Sequence, residues 1–85
     1  MTIQDFTFSP ASITIKVGTA VRWTNHGPSA HTATSDTDVW DSGQLSPSNG
    51  QFQMTFTQVG TFPYHCTNHP PSRYPSFTGT VTVTQ

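Results

Sequence analysis

The chain has 85 residues, a net charge of −1 and only 8% charged side chains, where an ordinary domain carries about 25%. That length predicts one domain over residues 1–85, with no room for a second core. So sparse a charge excludes a basic surface for nucleic acid or anionic lipid, and no apolar run approaches the ~18 residues of a membrane-spanning helix.

Polarity comes mainly from Thr, Ser, Gln and Asn, and apolar residues recur at every second position in short runs, the period of a half-buried strand. "IQDFTF" predicts an opening strand that ends at Ser9-Pro10. In "SITIKVG", Ile13, Ile15 and Val17 share one face; in "AVRWTN", Val21 and Trp23 point inward. "HGPSA" is a loop, "HTATS" a short polar strand beginning at His31, and "DTDVWDSG" a loop plugged by Val39 and Trp40. "QFQMTFT" alternates cleanly, placing Phe52, Met54 and Phe56 inward. In "GTFPYHC", Phe62, Tyr64 and Cys66 share a face, while Pro63 on the other face predicts an edge or a bulge. "GTVTVT" is the last strand. Seven or eight strands with turn signals roughly every 8–12 residues predict an all-β, Greek-key antiparallel sandwich with a core of Phe, Ile, Val and Trp.

A domain this small buries only about 60% of its unfolded surface. Its single cysteine cannot form an internal disulfide, which leaves a metal as the common staple. Cys66 closes the inward face of its strand, His69 follows three positions later, and His31 opens a separate strand. A sandwich can bring such strand ends to one pole. A thiolate with two imidazoles suits copper or zinc, and a trigonal Cys-His-His set with a weak axial ligand is the blue-copper arrangement. Structural zinc prefers four protein ligands, and only three are identifiable here. A binuclear copper site is excluded, since two bridging thiolates are needed.

The sequence resembles the cupredoxins, nearest to the small plastocyanin, amicyanin and pseudoazurin type. The resemblance runs nearly end to end, through "DFTFSPASITIKVGTAVRWTN", "HTATSDTDVWDSGQL", "FQMTFTQVGTFPYHCTNHP" and "GTVTVTQ". It implies one copper ion held by His31, Cys66 and His69, and a blue copper protein that carries single electrons and is not an enzyme. It also implies a periplasmic or extracytoplasmic mature domain, although Met1 leads directly into strand-like sequence with no visible signal peptide.

The chain departs from the family after His69. The family usually has a Met two to four residues beyond the second His. Here "PPSRYPS" follows, and Phe77 stands where that axial Met is expected. Met54 belongs to the core and Met1 to the terminus, so neither replaces it. A non-coordinating phenyl should disfavour Cu(II) and raise the reduction potential if the axial side stays dry. The carbonyl of Ala30 is a weak donor candidate on the opposite side. Asn25, Thr32 and Thr67 are candidates for hydrogen bonds that hold the thiolate and the two ligand loops. The family often has Asn directly after the first His, where this chain has Thr32.

Pro70, Pro71, Tyr74 and Pro75 suggest an apolar patch where a redox protein docks, with electrons passing through the edge of His69. No nucleic acid partner or membrane insertion is expected, and a monomer is. His65 should face outward by strand alternation, His26 should be solvated, and Asp36, Asp38 and Asp41 are read as a solvated acidic loop. Two alternatives remain beside the electron carrier. One is an open-site copper protein reacting with nitric oxide or dioxygen; the other is a non-redox metal-binding module.

Overall fold

The computed structural model describes residues 1–69 and 72–85. Among these residues eight strands are formed: β1 (Thr2–Gln4), β2 (Thr7–Ser9), β3 (Ser12–Lys16), β4 (Ala20–Asn25), β5 (Thr34–Ser35), β6 (Gln51–Thr55), β7 (Gly60–His65) and β8 (Thr78–Thr84). They make two four-stranded sheets, ordered β2-β1-β4-β6 and β3-β8-β7-β5. The predicted all-β sandwich is present, but its sheets are mixed: β1 runs parallel to β4 and β3 parallel to β8. Alternation reports which face of a strand is buried and is blind to the direction of its neighbour. No helix among the described residues is long and apolar enough to cross a membrane.

The predicted alternation holds best in β4, where Val21, Trp23 and Asn25 are all buried. Asn25 continues the inward face at the end where hydrocarbon gives way to polar groups. In β8, Gly79, Val81 and Val83 face inward. Gly79 has a steric reason to lack a side chain: a Cβ there would meet the ring of Tyr64 across the strand pair. The core is largely aromatic. Trp23 stacks on Trp40 at 5.7 Å and meets Tyr64 edge-on at 5.4 Å, while Phe8 lies 4.7 Å from Tyr64 and 4.8 Å from Phe77.

Four local expectations are corrected. "IQDFTF" is two strands joined by a turn at Asp5-Phe6, because Asp is a poor strand former and a good turn former. Trp40 plugs the core as expected, but Val39 is 45% exposed. Its neighbour Asp38 has a φ of 62°, which turns the chain so that only one of the two side chains can enter. Val17 lies beyond the end of β3 and is 42% exposed. Pro63 is in a strand with partners on both sides, β8 and β5. Its carbonyl accepts from Asp36 N, just past the end of the two-residue β5. In an antiparallel strand a residue's N and O point to the same side, so the missing N–H faces the place where β5 has already ended.

Candidate metal centre

The site lies at the pole where β4 ends, β7 ends and the loops after β4 and β7 meet. Cys66 follows β7 directly and continues its inward alternation after Tyr64, so its thiol is fully buried. His31 forms an isolated bridge with Leu45, through His31 N to Leu45 O and Leu45 N to His31 O. That bridge pins the backbone outside any regular strand and leaves the His31 ring fully buried. His69 lies on the loop after Cys66 and is half-buried.

The three side chains converge. Cys66 Sγ is 3.9 Å from His31 Nδ1 and 3.9 Å from His69 Nδ1, and the donor atoms all lie within 4.8 Å of one another. Two metal–ligand bonds of about 2.0–2.3 Å at 120° hold their donors roughly 3.5–4 Å apart. Both sulfur–nitrogen separations fall in that range, and the donor atoms of the two imidazoles stand within 4.8 Å of each other. Among the described residues no fourth His, Cys, Asp or Glu joins this group. A closed four-ligand zinc site would require one.

Phe77 is fully buried. Its ring stands edge-on to His31 at 4.9 Å and tilted to His69 at 5.9 Å, so a phenyl packs against both imidazoles. Met54 is elsewhere: it lines a cavity of about 230 Å³ with Val39, Phe56 and Phe62.

The polar neighbours form two groups. Thr32 N donates to Cys66 Sγ at 3.3 Å. The Thr32 hydroxyl accepts from Thr67 N at 2.9 Å and lies 3.2 Å from the Thr67 hydroxyl. A threonine thus ties the His31 loop to the Cys66 loop at the position where the family often has Asn. Asn25, fully buried, donates through Nδ2 to the carbonyls of Ser29 and Leu45 and accepts from Gly27 N through Oδ1. It braces the turn before His31 and touches neither sulfur nor imidazole through these bonds. The Ala30 carbonyl accepts from Asn68 Nδ2 at 2.9 Å, and Asn68 is also paired with Gln44.

Around His69, Tyr74 meets the ring edge-on at 5.1 Å and Pro75 is exposed. Pro70 and Pro71 lie outside the described residues. His65 faces away from Cys66 and pairs with Asp36. Asp41 accepts from Thr34 Oγ1 and Gly43 N, so it serves the loop's own fold. His26 is exposed, with its backbone N bonded to Ile3 O.

Two residues at the site escaped the sequence reading. Asp5 Oδ1 lies 2.8 Å from His31 Nε2, and Phe6 stacks on Tyr74 at 4.6 Å while meeting His69 at 5.1 Å. Both sit on the β1–β2 turn. Their signal was present as an Asp interrupting an apolar alternation, a residue that strands disfavour.

Beneath the site, Tyr64 is fully buried and its hydroxyl has no hydrogen-bond partner. Burial pushes its pKa up to about 12. The adjacent Trp23 indole opposes the rise only partly, without closing a hydrogen bond.

A mixed eight-stranded sandwich with thiolate and imidazole donors at one pole defines a cupredoxin-type copper protein. The chain belongs to the copper binding proteins of the plastocyanin/azurin family, whose model matches residues 1–84, and His31, Cys66 and His69 form a group that could bind one copper. It is 30% identical over 86 residues to a plastocyanin from Scenedesmus fuscus, covering 89% of this chain and 85% of that protein. It is 29% identical over 72 residues to amicyanin from Paracoccus denitrificans, covering 80% of this chain. The match spans 55% of that amicyanin's length. Among solved structures, a purple cupredoxin from Nitrosopumilus maritimus matches with a TM-score of 0.75 and 31% identity, over 92% of this chain and 82% of that one. An oxidised single-substitution mutant of amicyanin matches with a TM-score of 0.81 and 26% identity, over 96% and 77%.

Proposed function

We propose that this protein is a mononuclear type 1 copper protein that carries single electrons, with His31, Cys66 and His69 as the ligands. The supporting observation is the convergence of one thiol and two imidazoles, each Nδ1 at 3.9 Å from the sulfur and all donors within 4.8 Å of one another, two of the three residues being buried. Copper held there supplies a Cu(II)/Cu(I) couple. The protein's part is to keep the ligands in place in both states. Thr32 N steadies the sulfur, the Thr32–Thr67 bond locks one ligand loop to the other, and the His31–Leu45 bridge fixes the first imidazole. The Thr32 N–H on the sulfur also withdraws electron density from it, which favours the reduced metal.

The half-buried edge of His69 is the exit for the electron, and a redox protein docks over it on Tyr74 and Pro75. Phe77 packs on both imidazoles and would offer no donor atom to a copper held there. Its buried ring against both imidazoles favours the carrier over an open-site enzyme acting on nitric oxide or dioxygen, because a small molecule would have to displace it. The protein acts as a monomer in a periplasmic or other extracytoplasmic compartment.

Adding Cu(II) to the metal-free protein should give an intense visible thiolate-to-copper absorption at one copper per chain, lost in Cys66→Ser. A colourless protein that takes up no copper refutes this function.

A further inference from the structure

We infer that Asp5 is a positioning residue for His31, and that its carboxylate holds the reduction potential of the copper site down. The inference rests on the copper reading above. An imidazole that ligates through Nδ1 carries its proton on Nε2, and the group facing His31 Nε2 is Asp5 Oδ1 at 2.8 Å. The ring is fully buried and the carboxylate about one-third exposed, so the pair bridges the interior ligand to the surface. A ring turned over by 180° would lose this bond, so Asp5 selects the orientation that presents Nδ1 to Cys66.

The surrounding backbone is shaped to deliver that carboxylate. Phe6 has a φ of 71°, a left-handed conformation that is unfavourable for a residue with a Cβ. It is held there between two anchors, with Asp5 on His31 and its own ring on His69 and Tyr74. Ser76 Oγ donates to Phe6 O at 3.2 Å, and His26 N donates to Ile3 O at 2.8 Å. Gly27 closes the far side. A Cβ at that position would lie 3.0 Å from Asp5 Oδ1 and 3.2 Å from His31 Nε2, closer than most real contacts. One turn therefore reaches both imidazoles of the site from outside the two ligand loops.

The chemistry follows from charge. A carboxylate on the distal N–H makes the imidazole a stronger donor, and negative charge near the site stabilises Cu(II) more than Cu(I). The effect opposes that of Phe77, which withholds a donor and favours Cu(I).

The test compares copper-loaded wild type with Asp5→Asn, which keeps an oxygen acceptor but no charge, and Asp5→Ala, which keeps neither. The supporting carboxylate of a ligating His is typically worth 10–100-fold in metal affinity. If that loss falls on Cu(II), Asp5→Asn raises the potential by about 60–120 mV, at 59 mV per tenfold for one electron, with the visible band retained. Asp5→Ala raises it at least as far, weakens Cu(II) binding 10–100-fold and shifts the band. In the Cu(I) wild type labelled with ¹⁵N-histidine, the His31 Nε2–H should exchange slowly with solvent, a readout that needs no variant to fold. Unchanged potentials in both variants, or a freely exchanging Nε2–H, overturn the role of Asp5 while leaving the copper function standing. A wild type that binds no copper overturns both.

Discussion

Thr32→Val isolates the tie between the two ligand loops. Valine keeps the volume and the backbone N–H that reaches Cys66 Sγ, and removes only the hydroxyl. That hydroxyl accepts from Thr67 N at 2.9 Å and from Thr34 Oγ1 at 3.0 Å, and Thr32 is 2% exposed. The Thr34 hydroxyl can turn to Asp41, already 3.1 Å away, so its loss costs little. The Thr67 N–H is left with water as its partner; a fully buried orphan costs about 1–3 kcal/mol, and because Thr67 is exposed the loss falls at the low end, about 1 kcal/mol. Total stability for 85 residues is roughly 4–13 kcal/mol, so the change is a sizeable fraction. In urea unfolding of the metal-free protein the midpoint should fall with the slope unchanged, and the melting temperature should drop by about 4–8 °C per kcal/mol. Cu(II) affinity should fall as well, because the loops must then be ordered by the metal. Thr32→Ser keeps the hydroxyl and should keep the affinity. A Thr32→Val protein within about 0.3 kcal/mol of wild type, with equal Cu(II) affinity, would show that the ligand loops are held by other contacts.

Phe77→Ala should cost about 3–5 kcal/mol as a buried aromatic truncation, seen as an earlier denaturant midpoint; Phe77→Met should lower the reduction potential by offering a thioether, and an unchanged potential in voltammetry counts against an axial placement. Asn25→Ala removes three hydrogen bonds of the turn before His31 and should destabilise the metal-free protein by about 2–4 kcal/mol, measured by the same unfolding assay. Tyr64 makes stability fall in alkali. Between pH 10 and about 12 the unfolded phenol ionises and the folded one does not, so the unfolded state gains about 1.4 kcal/mol per pH unit, roughly 3 kcal/mol in all. Tyr64→Phe should flatten that decline, and parallel pH–stability curves for the two proteins would exclude it.

Trp23, Tyr64 and Cys66 were legible because burial in a strand has a period of two, and each sits at the correct parity. The grouping of His31 with Cys66 and His69 was legible as a ligand pattern. Asp5 shows where the reading stopped. Asp5 interrupts the apolar alternation of "IQDFTF", a local mark of a break that does not say where the reversed chain will lie. Once the chain reverses, the carboxylate meets an imidazole 26 positions away. Thr32 shows an intermediate case: the sequence marked it as a departure from the family, and only the approach of the two loops reveals a hydroxyl placed to take over the bond.

The class of fold, the face each long strand buries and the side chains able to bind a metal are legible in the sequence, since these depend on local alternation and on side-chain chemistry. The direction of neighbouring strands, the convergence of Cys66 with His31 and His69, the phenyl packed against both imidazoles and the turn that brings Asp5 to His31 come from the tertiary structure alone. Those features are distances between residues far apart in the chain, set by how two sheets stack and where their loops meet, and no local pattern encodes them.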